Sequence, residues 1–295
     1  MVNPIFGQDV SGVQYLQEST EGSQPTGTYR FIAPELKAVH SIAYAPYPVP
    51  AVGSPDIADF VTGGRIDASQ FTFDLTASGV AYLKDAINLG SASASGSYWS
   101  HAYIGRVYST KDAQVKFWRA SGARIDSLSL QPGPASWQIN VNVAHKPATI
   151  TGAAMATGIY FTEWPGAAAD PVLNPHTVGS GSIFTFNGTA WYLADLGLAV
   201  GNNIMPIPTV GEQIPTKFSR TTRTIGFQAT PYEENLETYI PLLNAAGTGI
   251  LTLATGRTVT LTGLYFYGIT QLPFSPTRPA AVAMVGTARS LSLAG

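Results

Sequence analysis

Imidazole side chains are the groups in this sequence best suited to bind a metal ion or to transfer protons, and the chain contains four of them. His40, His101, His145 and His176 stand singly, without the short spacings at which histidines share a metal ion. The chain has no cysteine, so it offers neither a thiolate nucleophile nor a disulfide. We therefore predict no metal and no other cofactor, and we expect hydrogen-bonded or surface histidines.

Glu233, Glu234 and Glu237 are close enough in sequence to suggest the paired carboxylates of a glycosidase. They lie in the first turns of a predicted helix, where the positive end of the helix dipole favours carboxylates, and this structural reading is preferred. The motifs of serine hydrolases, zinc proteases and phosphate-binding loops do not occur in the sequence. The sequence therefore predicts a protein that is not an enzyme.

Aromatic residues provide an alternative function, because tryptophan and tyrosine can line a groove for sugars. Most of them lie in or beside predicted strands, where aromatic side chains usually pack in cores and subunit contacts. A β-sandwich that binds carbohydrate, or another interaction module, is therefore kept as the alternative. The tryptophans are Trp99, Trp118, Trp137, Trp164 and Trp191.

The sequence is poor in charge: only 12% of its residues are charged, against roughly 25% in typical soluble domains. One explanation is a thermophilic or secreted β protein rich in Thr, Ser and Asn. The other is a surface covered by further copies of the chain, because interfaces are depleted in Lys, Glu and Asp. We favour the second. A net charge of −2 provides no basic surface for tight binding of nucleic acid.

No stretch approaches 18 apolar residues without a polar interruption, so no membrane partner is predicted. The first residues also lack the basic start and apolar run of a secretory signal.

Alternation of apolar with uncharged polar residues recurs along the chain and predicts strands. In QINVNVAH, Ile139, Val141 and Val143 alternate with Asn140 and Asn142. The 30 glycines and 21 prolines divide the chain into short segments joined by turns, which favours a mainly β fold. The predicted strands are 28–33, 69–76, 102–108, 113–119, 124–130, 136–144, 182–187, 192–200, 223–229, 249–254 and 258–269.

Two short sequences predict irregularities in these strands. In LTGLYFYGI the apolar residues change face near Gly263, and a bulge at this glycine would restore the register. The NGT sequence at 187–189 is predicted to form a hairpin turn.

Two segments that directly follow a strand are predicted to be helical. Ser78 is a candidate N-cap for GVAYLKDAINL, which stops at Gly90. A capping box formed by Thr230 and Glu233 predicts the second helix, which Pro241 must kink or shorten.

The two strand-then-helix segments, beginning RIDASQFTFD and RTTRTIGFQA, follow the same plan. One reading is that such units recur by chance. The other, which we favour, is a tandem repeat: a first β domain over 1–160 and a second over 161–295. The proline-rich stretch 165–182 is the predicted linker.

Several segments together resemble the tail tube proteins of tailed bacteriophages. They are VQYLQESTEGSQPTGTYRFI near the start, GRIDASQFTFDLTASGVAYLKDAINLG, FWRASGARIDSLSLQPGPASWQINVNVAHKPA, SIFTFNG and RTIGFQATP. The resemblance covers most of the chain and rests on patterns and segment order.

This resemblance implies β-sandwich or barrel tube domains, each with one flanking helix, assembled as stacked rings around a channel for viral DNA. The implied location is the virion tail, after synthesis in the host cytoplasm. The implied partners are further copies of the chain, the tape measure, tail terminator and tail tip proteins, and DNA that passes without sequence-specific binding. Asp67, Asp74, Asp126, Asn140 and Asn142 are the expected lumen-facing or interface residues.

The chain departs from the family in length, because single tube domains are about half as long. Two tandem domains would let three subunits form a ring of pseudo-sixfold symmetry, which we favour over six subunits each with one domain and an outer decoration. The proline-rich residues 40–64 are expected to form a long loop that becomes ordered when one ring docks on another.

Overall fold

The computed structural model describes residues 10–34, 36–50, 57–87, 100–109, 114–152, 157–162, 165–176, 183–207, 214–215, 217–232, 236–272 and 280–295. The chain is mainly β, as predicted, and most of its strands belong to one large antiparallel sheet. The strands are β1 (Val10–Gln17), β2 (Gly27–Thr28), β3 (Arg30–Phe31), β4 (Lys37–Pro50), β5 (Ile57–Asp74), β6 (His101–Ser109), β7 (Gln114–Pro132), β8 (Trp137–His145), β9 (Thr149–Thr151), β10 (Ile159–Tyr160), β11 (Phe184–Phe186), β12 (Thr189–Trp191), β13 (Leu193–Gly201), β14 (Ile204–Ile207), β15 (Lys217–Arg220), β16 (Thr224–Pro231), β17 (Ala246–Ala254), β18 (Arg257–Gln271), β19 (Val282–Thr287) and β20 (Ser290–Ala294).

The first half of the chain forms a closed barrel. Its strands follow the order β1, β4, β5, β8, β7, β6, and β6 pairs back to β1. Long β7 pairs with β6 through its first residues and with β8 through its last, so it turns a corner of the barrel. Closure leaves these strands without an open edge wherever they belong to the barrel.

The second half repeats these pairings in the same order. β13, β16, β17, β18, β19 and β20 pair with one another as β4, β5, β6, β7, β8 and β9 do. β11 pairs with β17 as β1 pairs with β6. Within the described residues, nothing joins β11 to β13 in the way that β1 joins β4.

The halves share a core and a sheet. One apolar cluster contains buried residues from strands of both halves. β7 continues into the second half by pairing with β13, from Ser127↔Gly201 to Leu130↔Leu198. The repeated pairings support the predicted tandem repeat, while the division at residue 160 stays a prediction.

The two predicted irregularities in the strands are confirmed. Gly263 has φ of +62° and is skipped in the pairing between β17 and β18, which is the expected bulge. Asn187 and Gly188 both have positive φ and connect β11 to β12, which is the expected hairpin turn.

The first predicted helix exists, as α1 (Ala77–Ile87), but its cap differs from the prediction. Thr76, not Ser78, is the N-cap, because its hydroxyl accepts the Gly79 amide at 3.2 Å. Buried Asp170 accepts the Ser78 amide at 2.8 Å. Asp170 belongs to the predicted linker, whose described residues 165–176 thus dock on the first half, while 177–182 lie outside the described residues.

The second predicted helix is wrong. Residues Leu236–Thr238 and Ile240–Leu242 form two short 3-10 turns, and Thr230 and Pro231 belong to β16. Pro241 sits in the first turn of the second of these, where its missing amide hydrogen costs little. Glu233 and Glu234 lie outside the described residues, and Glu237 is exposed.

The predicted loop over 40–64 is also wrong. Apart from residues 51–56, which lie outside the described part of the chain, it consists of the long strands β4 and β5. They pair with each other as far as Pro50↔Ile57, well beyond the last pair between β5 and β8, Asp67↔His145. We call this projecting part, residues 43–50 and 57–66, the arm.

Candidate functional site: an uncharged sheet face with two open edges

The strands that carry the predicted site residues belong to a sheet that runs through both halves. Its order is β4, β5, β8, β7, β13, β16, β19 and β18, and we call it the joined sheet. One face packs on the apolar core and the other faces outward. The alternating burial along β8, from buried Trp137 to buried His145, shows this division directly.

The outward face is uncharged over most of its area, although Lys37, which pairs with Thr72, lies at its β4 edge. Its amide and hydroxyl side chains bond to each other across strands: Thr72 donates to Asn140 at 2.7 Å, and Asn142 donates to Ser127 at 2.9 Å. Asparagine suits this position because its amide both donates and accepts and carries no charge. Asp74, whose carboxylate accepts the Ser136 hydroxyl at 2.6 Å, is the predicted acidic residue that shares this face. We call this surface the uncharged face.

The other predicted acidic residues lie elsewhere. Asp67 points into the barrel with no exposed surface. Asp126 lies at a bulge of β7, between Ile125 and Ser127, where its carboxylate accepts the Ile204 amide at 2.8 Å. The structure therefore brings Asn140, Asn142 and Asp74 together on one face and places Asp67 inside the barrel.

A shallow groove of about 520 Å³ crosses the middle of the uncharged face. Small residues of β7, β13 and β16 line it, among them Ser129, Gly201 and Gly226. Asn142 and the 60% exposed Tyr267 also line it. The groove can offer hydrogen bonds and an aromatic surface, and its lining residues include no histidine, lysine or carboxylate.

Among the described residues, the two ends of the joined sheet are open edges. On the side away from β5, β4 pairs with β1 only through Lys37 and Ala38, and no described strand covers it further along. On the side away from β19, the last partner of β18 is Leu243, which bridges to Phe266. Beyond Phe266 that side of β18 has no partner strand among the described residues. Open edges are sites where another chain can add a strand.

The outer edge of β4 is limited by its prolines. Pro46 and Pro48 lie in a stretch that is paired residue by residue with β5. Because proline has no amide hydrogen, Tyr47 and Val49 must make the hydrogen bonds to β5, and the prolines must face the outer edge. The outer edge can therefore donate hydrogen bonds only before Pro46.

The two halves of the joined sheet can be matched position by position. In each half, four residues on the core side pair in succession across four neighbouring strands, and we call such a set a row. The first row is Ala38, Phe71, Val141 and Leu128; the second is Leu196, Ala229, Met284 and Ile269. A bulge follows Ile125 in β7 and Phe266 in β18, at matching positions.

This match shows what is missing at the open edges. Val200 pairs with Leu128 where β13 meets β7, and Val200 is 2% exposed. Counting from the matched rows, Ile42 of β4 occupies the position of Val200, yet it is 49% exposed. Ile269 of β18 occupies the position of Leu128. The contact made within the chain between β13 and β7 is thus left unmade at both ends.

A cluster of polar side chains lies inside the barrel, beneath the open part of β4. His145 and Ser69 are 2.9 Å apart, and His40 is 3.3 Å from the same hydroxyl and 3.5 Å from the Asp67 carboxylate. Arg65 holds Asp67 through two hydrogen bonds of 2.7 and 2.8 Å. We call His40, Arg65, Asp67, Ser69 and His145 the histidine cluster.

Burial and neighbours set the protonation of this cluster. Burial lowers the pKa of His145 to about 4, although the hydrogen bond to the Lys146 carbonyl opposes this effect. Burial raises the pKa of Asp67, but the contacts from His40, Arg65 and the Ala148 amide outweigh it and leave that pKa well below its usual range.

Sequence reasoning treated the histidines as unconnected, and it missed that the fold stacks the His40 and His145 rings 5.2 Å apart. The sequence of β5 did indicate a buried polar cluster, because the polar residues Asp67 and Ser69 share the inward face of the strand with Phe71 and Phe73. Within the described residues, no group of three or more His, Cys, Asp or Glu is placed to hold a metal ion.

No protein-family model matches the chain, and no curated protein matches it. Among the helices described, none is both long and apolar enough to cross a bilayer.

Proposed function

We propose that the chain is a structural subunit of a viral tail tube, which assembles through the two open edges of the joined sheet. β18 of one copy adds to β4 of the next, as β7 adds to β13 within the chain. The observation that carries this proposal is the match between buried Val200 and exposed Ile42, at an edge for which the described residues provide no partner strand.

Such contacts are heterologous, because the edge of β18 meets the different edge of β4. Heterologous contacts form a closed ring when the rotation between copies permits it. Three copies, each with the eight strands of the joined sheet, would form a barrel about 50 Å in backbone diameter at a strand spacing of ~4.8 Å and a tilt of ~40°. That channel is wider than a DNA duplex, which supports three copies with pseudo-sixfold symmetry.

The uncharged face would line this channel. Lysine or arginine there would bind phosphates and hold DNA through the release of counterions. Asn140, Asn142 and their hydroxyl partners satisfy the polar groups of the face without attracting the backbone of DNA. The face thus suits a passive conduit, and the tape measure, tail terminator and tail tip proteins remain proposed partners in the virion tail.

Disulfide trapping tests the proposed edge. Because the chain has no native cysteine, only the introduced cysteines can form disulfides. The register of β13 on β7 predicts that Ile42 of one copy lies opposite Ile269 of its neighbour. We expect the double variant I42C/I269C to form disulfide-linked oligomers under mild oxidation, with a ladder that ends at three chains. V39C/I269C, whose first cysteine is out of register with the second, is the matched control.

The outcome decides between the models. A ladder that ends at six chains would support the hexamer, and equal trapping in both variants would reject the predicted register. Monomers under every concentration and temperature, seen by negative-stain electron microscopy, would reject assembly altogether.

A carbohydrate-binding module remains the second candidate, because the groove sets Tyr267 beside amide and hydroxyl groups that sugars can bond. Binding to a glycan array by a stable monomer, abolished in Y267A, would favour this function. Absence of binding by a monomer that also fails to assemble would leave neither function supported.

A further inference from the structure

Four of the five members of the histidine cluster have no counterpart in the second half of the molecule, and the fifth, Arg65, matches Arg223. Counting from the same matched rows, the positions of His40, Asp67, Ser69 and His145 hold apolar residues there. Those residues, all of them in the core or packed against it, are Leu198, Ile225, Phe227 and Ala288. Apolar residues at these four positions are therefore compatible with the fold, and they avoid the free-energy cost of burying charged groups.

The cluster also differs from its counterpart in what lies above it. In the second half the apolar set lies under β13, whose edge is covered by β7 within the chain. In the first half the polar set lies under β4, whose edge beyond Ala38 has no partner strand in the described part of the chain. The barrel pairs end here, at Asp67↔His145, and the arm begins. The polar residues thus occupy the hinge between the barrel and the strand that we propose joins two copies.

Hydrogen bonds in the cluster depend on the charge of His145. Its Nδ1 lies 2.7 Å from the Lys146 carbonyl oxygen and must donate to it, so in the neutral ring Nε2 accepts from the Ser69 hydroxyl. A proton on Nε2 turns this acceptor into a donor, and the Ser69 hydroxyl must rotate away.

Two of the charged neighbours of His145, His40 and Arg65, oppose that proton, whereas Asp67 favours it. The groups that face it are His40 from β4, Arg65 and Asp67 from β5, and the uncharged ring of Trp118 from β7. Arg65 already neutralises Asp67, so an imidazolium at His145 would lie against His40 without a free counterion. Burial, which lowers the pKa of His145 to about 4, adds to this cost.

We propose that the histidine cluster is an acid-sensitive latch: it holds β4 in position to accept β18 of a neighbouring copy while His145 is neutral, and it releases β4 when His145 is protonated. The role in assembly rests on the proposed function, whereas the release of β4 is a property of the single chain.

Hydrogen exchange of the single chain tests the latch directly. A histidine whose pKa is depressed in the closed state favours opening as the pH falls below its ordinary value of about 6.5. We expect the protection factors of the amides in residues 39–44 to fall roughly tenfold or more between pH 6.5 and 4.5. H145Q keeps an acceptor without a titrating group, and H145A copies Ala288; in both variants these factors should stay nearly constant.

His101 provides the matched control. It is 1% exposed and its pKa is likewise lowered to about 4 by burial, but it lies in β6 against Tyr15, away from β4. In H101Q the acid response of residues 39–44 should match that of the wild type. Equal loss of the response in H101Q and H145Q would show that acid acts on the whole fold, and the latch would be rejected.

Sedimentation across the same pH range separates the latch from the proposed function. Rings of wild type that dissociate between pH 6 and 4.5, with rings of H145Q and H145A that persist, would support both. Acid-dependent exchange of β4 in a chain that forms no ring at any pH would support the latch and reject the tube. Protection of β4 that does not change with pH would reject the latch, whatever the rings do.

Discussion

Trp137 joins the two halves of the molecule through a buried hydrogen bond. It is fully buried at the start of β8, and its indole nitrogen donates to the Leu253 carbonyl of β17 at 3.1 Å. A buried carbonyl must find a donor, and the indole reaches it from the other half while filling the shared core. The Trp137 side chain therefore fills the shared core and also provides the hydrogen bond that the Leu253 carbonyl needs where the halves meet.

Replacing Trp137 by Phe should destabilise the protein by roughly 3 kcal/mol, because it leaves a cavity and removes the donor to Leu253. Chemical denaturation monitored by far-ultraviolet circular dichroism would measure the loss. Y192F, at a tyrosine that is 79% exposed, is the control and should be neutral. A loss below about 1 kcal/mol in W137F would mean that the halves do not depend on this contact.

Glycine controls the curvature of the long strands at the element scale. β18 pairs with β17 and β20 through its first residues and with β19 through its last, so it bends as β7 does. The bulge at Gly263 lies where these partners change. Its φ of +62° suits glycine, and a Cβ there would lie 3.1 Å from the Cβ of Arg289.

G263A should therefore destabilise the fold by about 1–2 kcal/mol through strain in the left-handed region and the contact with Arg289. Gly152 is the matched control, because its φ is not in the left-handed region and a Cβ there would meet no atom within 4 Å. Thermal unfolding of the two alanine variants would compare them. Equal melting temperatures would show that β18 tolerates another backbone at the bulge.

Sequence patterns predicted correctly those elements whose local conformational preference agrees with the tertiary structure. β8 alternates cleanly and was predicted nearly to its ends, and the Asn187 turn and the Gly263 bulge follow from backbone chemistry. The second helix failed because the strand pairing of β16 takes Thr230 and Pro231, which removes the capping box. The arm was missed because its prolines indicate a loop, although an open edge tolerates them.

The candidate site was only partly predictable, because much of it depends on how strands far apart in the sequence pair in the whole molecule. Asn140 and Asn142 stood out because uncharged polar faces are unusual on strands. The histidine cluster could not be assembled from sequence spacing, since its members come from three strands, β4, β5 and β8, that are brought together by strand pairing. The open edges required the pairings of both halves, because an edge is recognised only by comparison with its covered counterpart.

The absence of charge on the uncharged face can itself be tested in assembled tubes. N140K and N142K each place a lysine among neutral groups, and Asn142 is exposed enough to accept it without repacking. If the face lines a channel for DNA, each added cation should bind about one phosphate, and the affinity should fall with salt with a slope near −0.9 per contact.

We therefore expect tubes of N140K/N142K to retain duplex DNA at low salt and to release it near physiological salt, while wild-type tubes retain much less at every salt concentration. Co-sedimentation with a labelled duplex over a salt series would measure this, and T221K, at an exposed threonine outside the joined sheet, is the control. Equal retention by the two variants would place the uncharged face outside the channel. The neutral amides would then serve contacts between copies, since interfaces also exclude lysine.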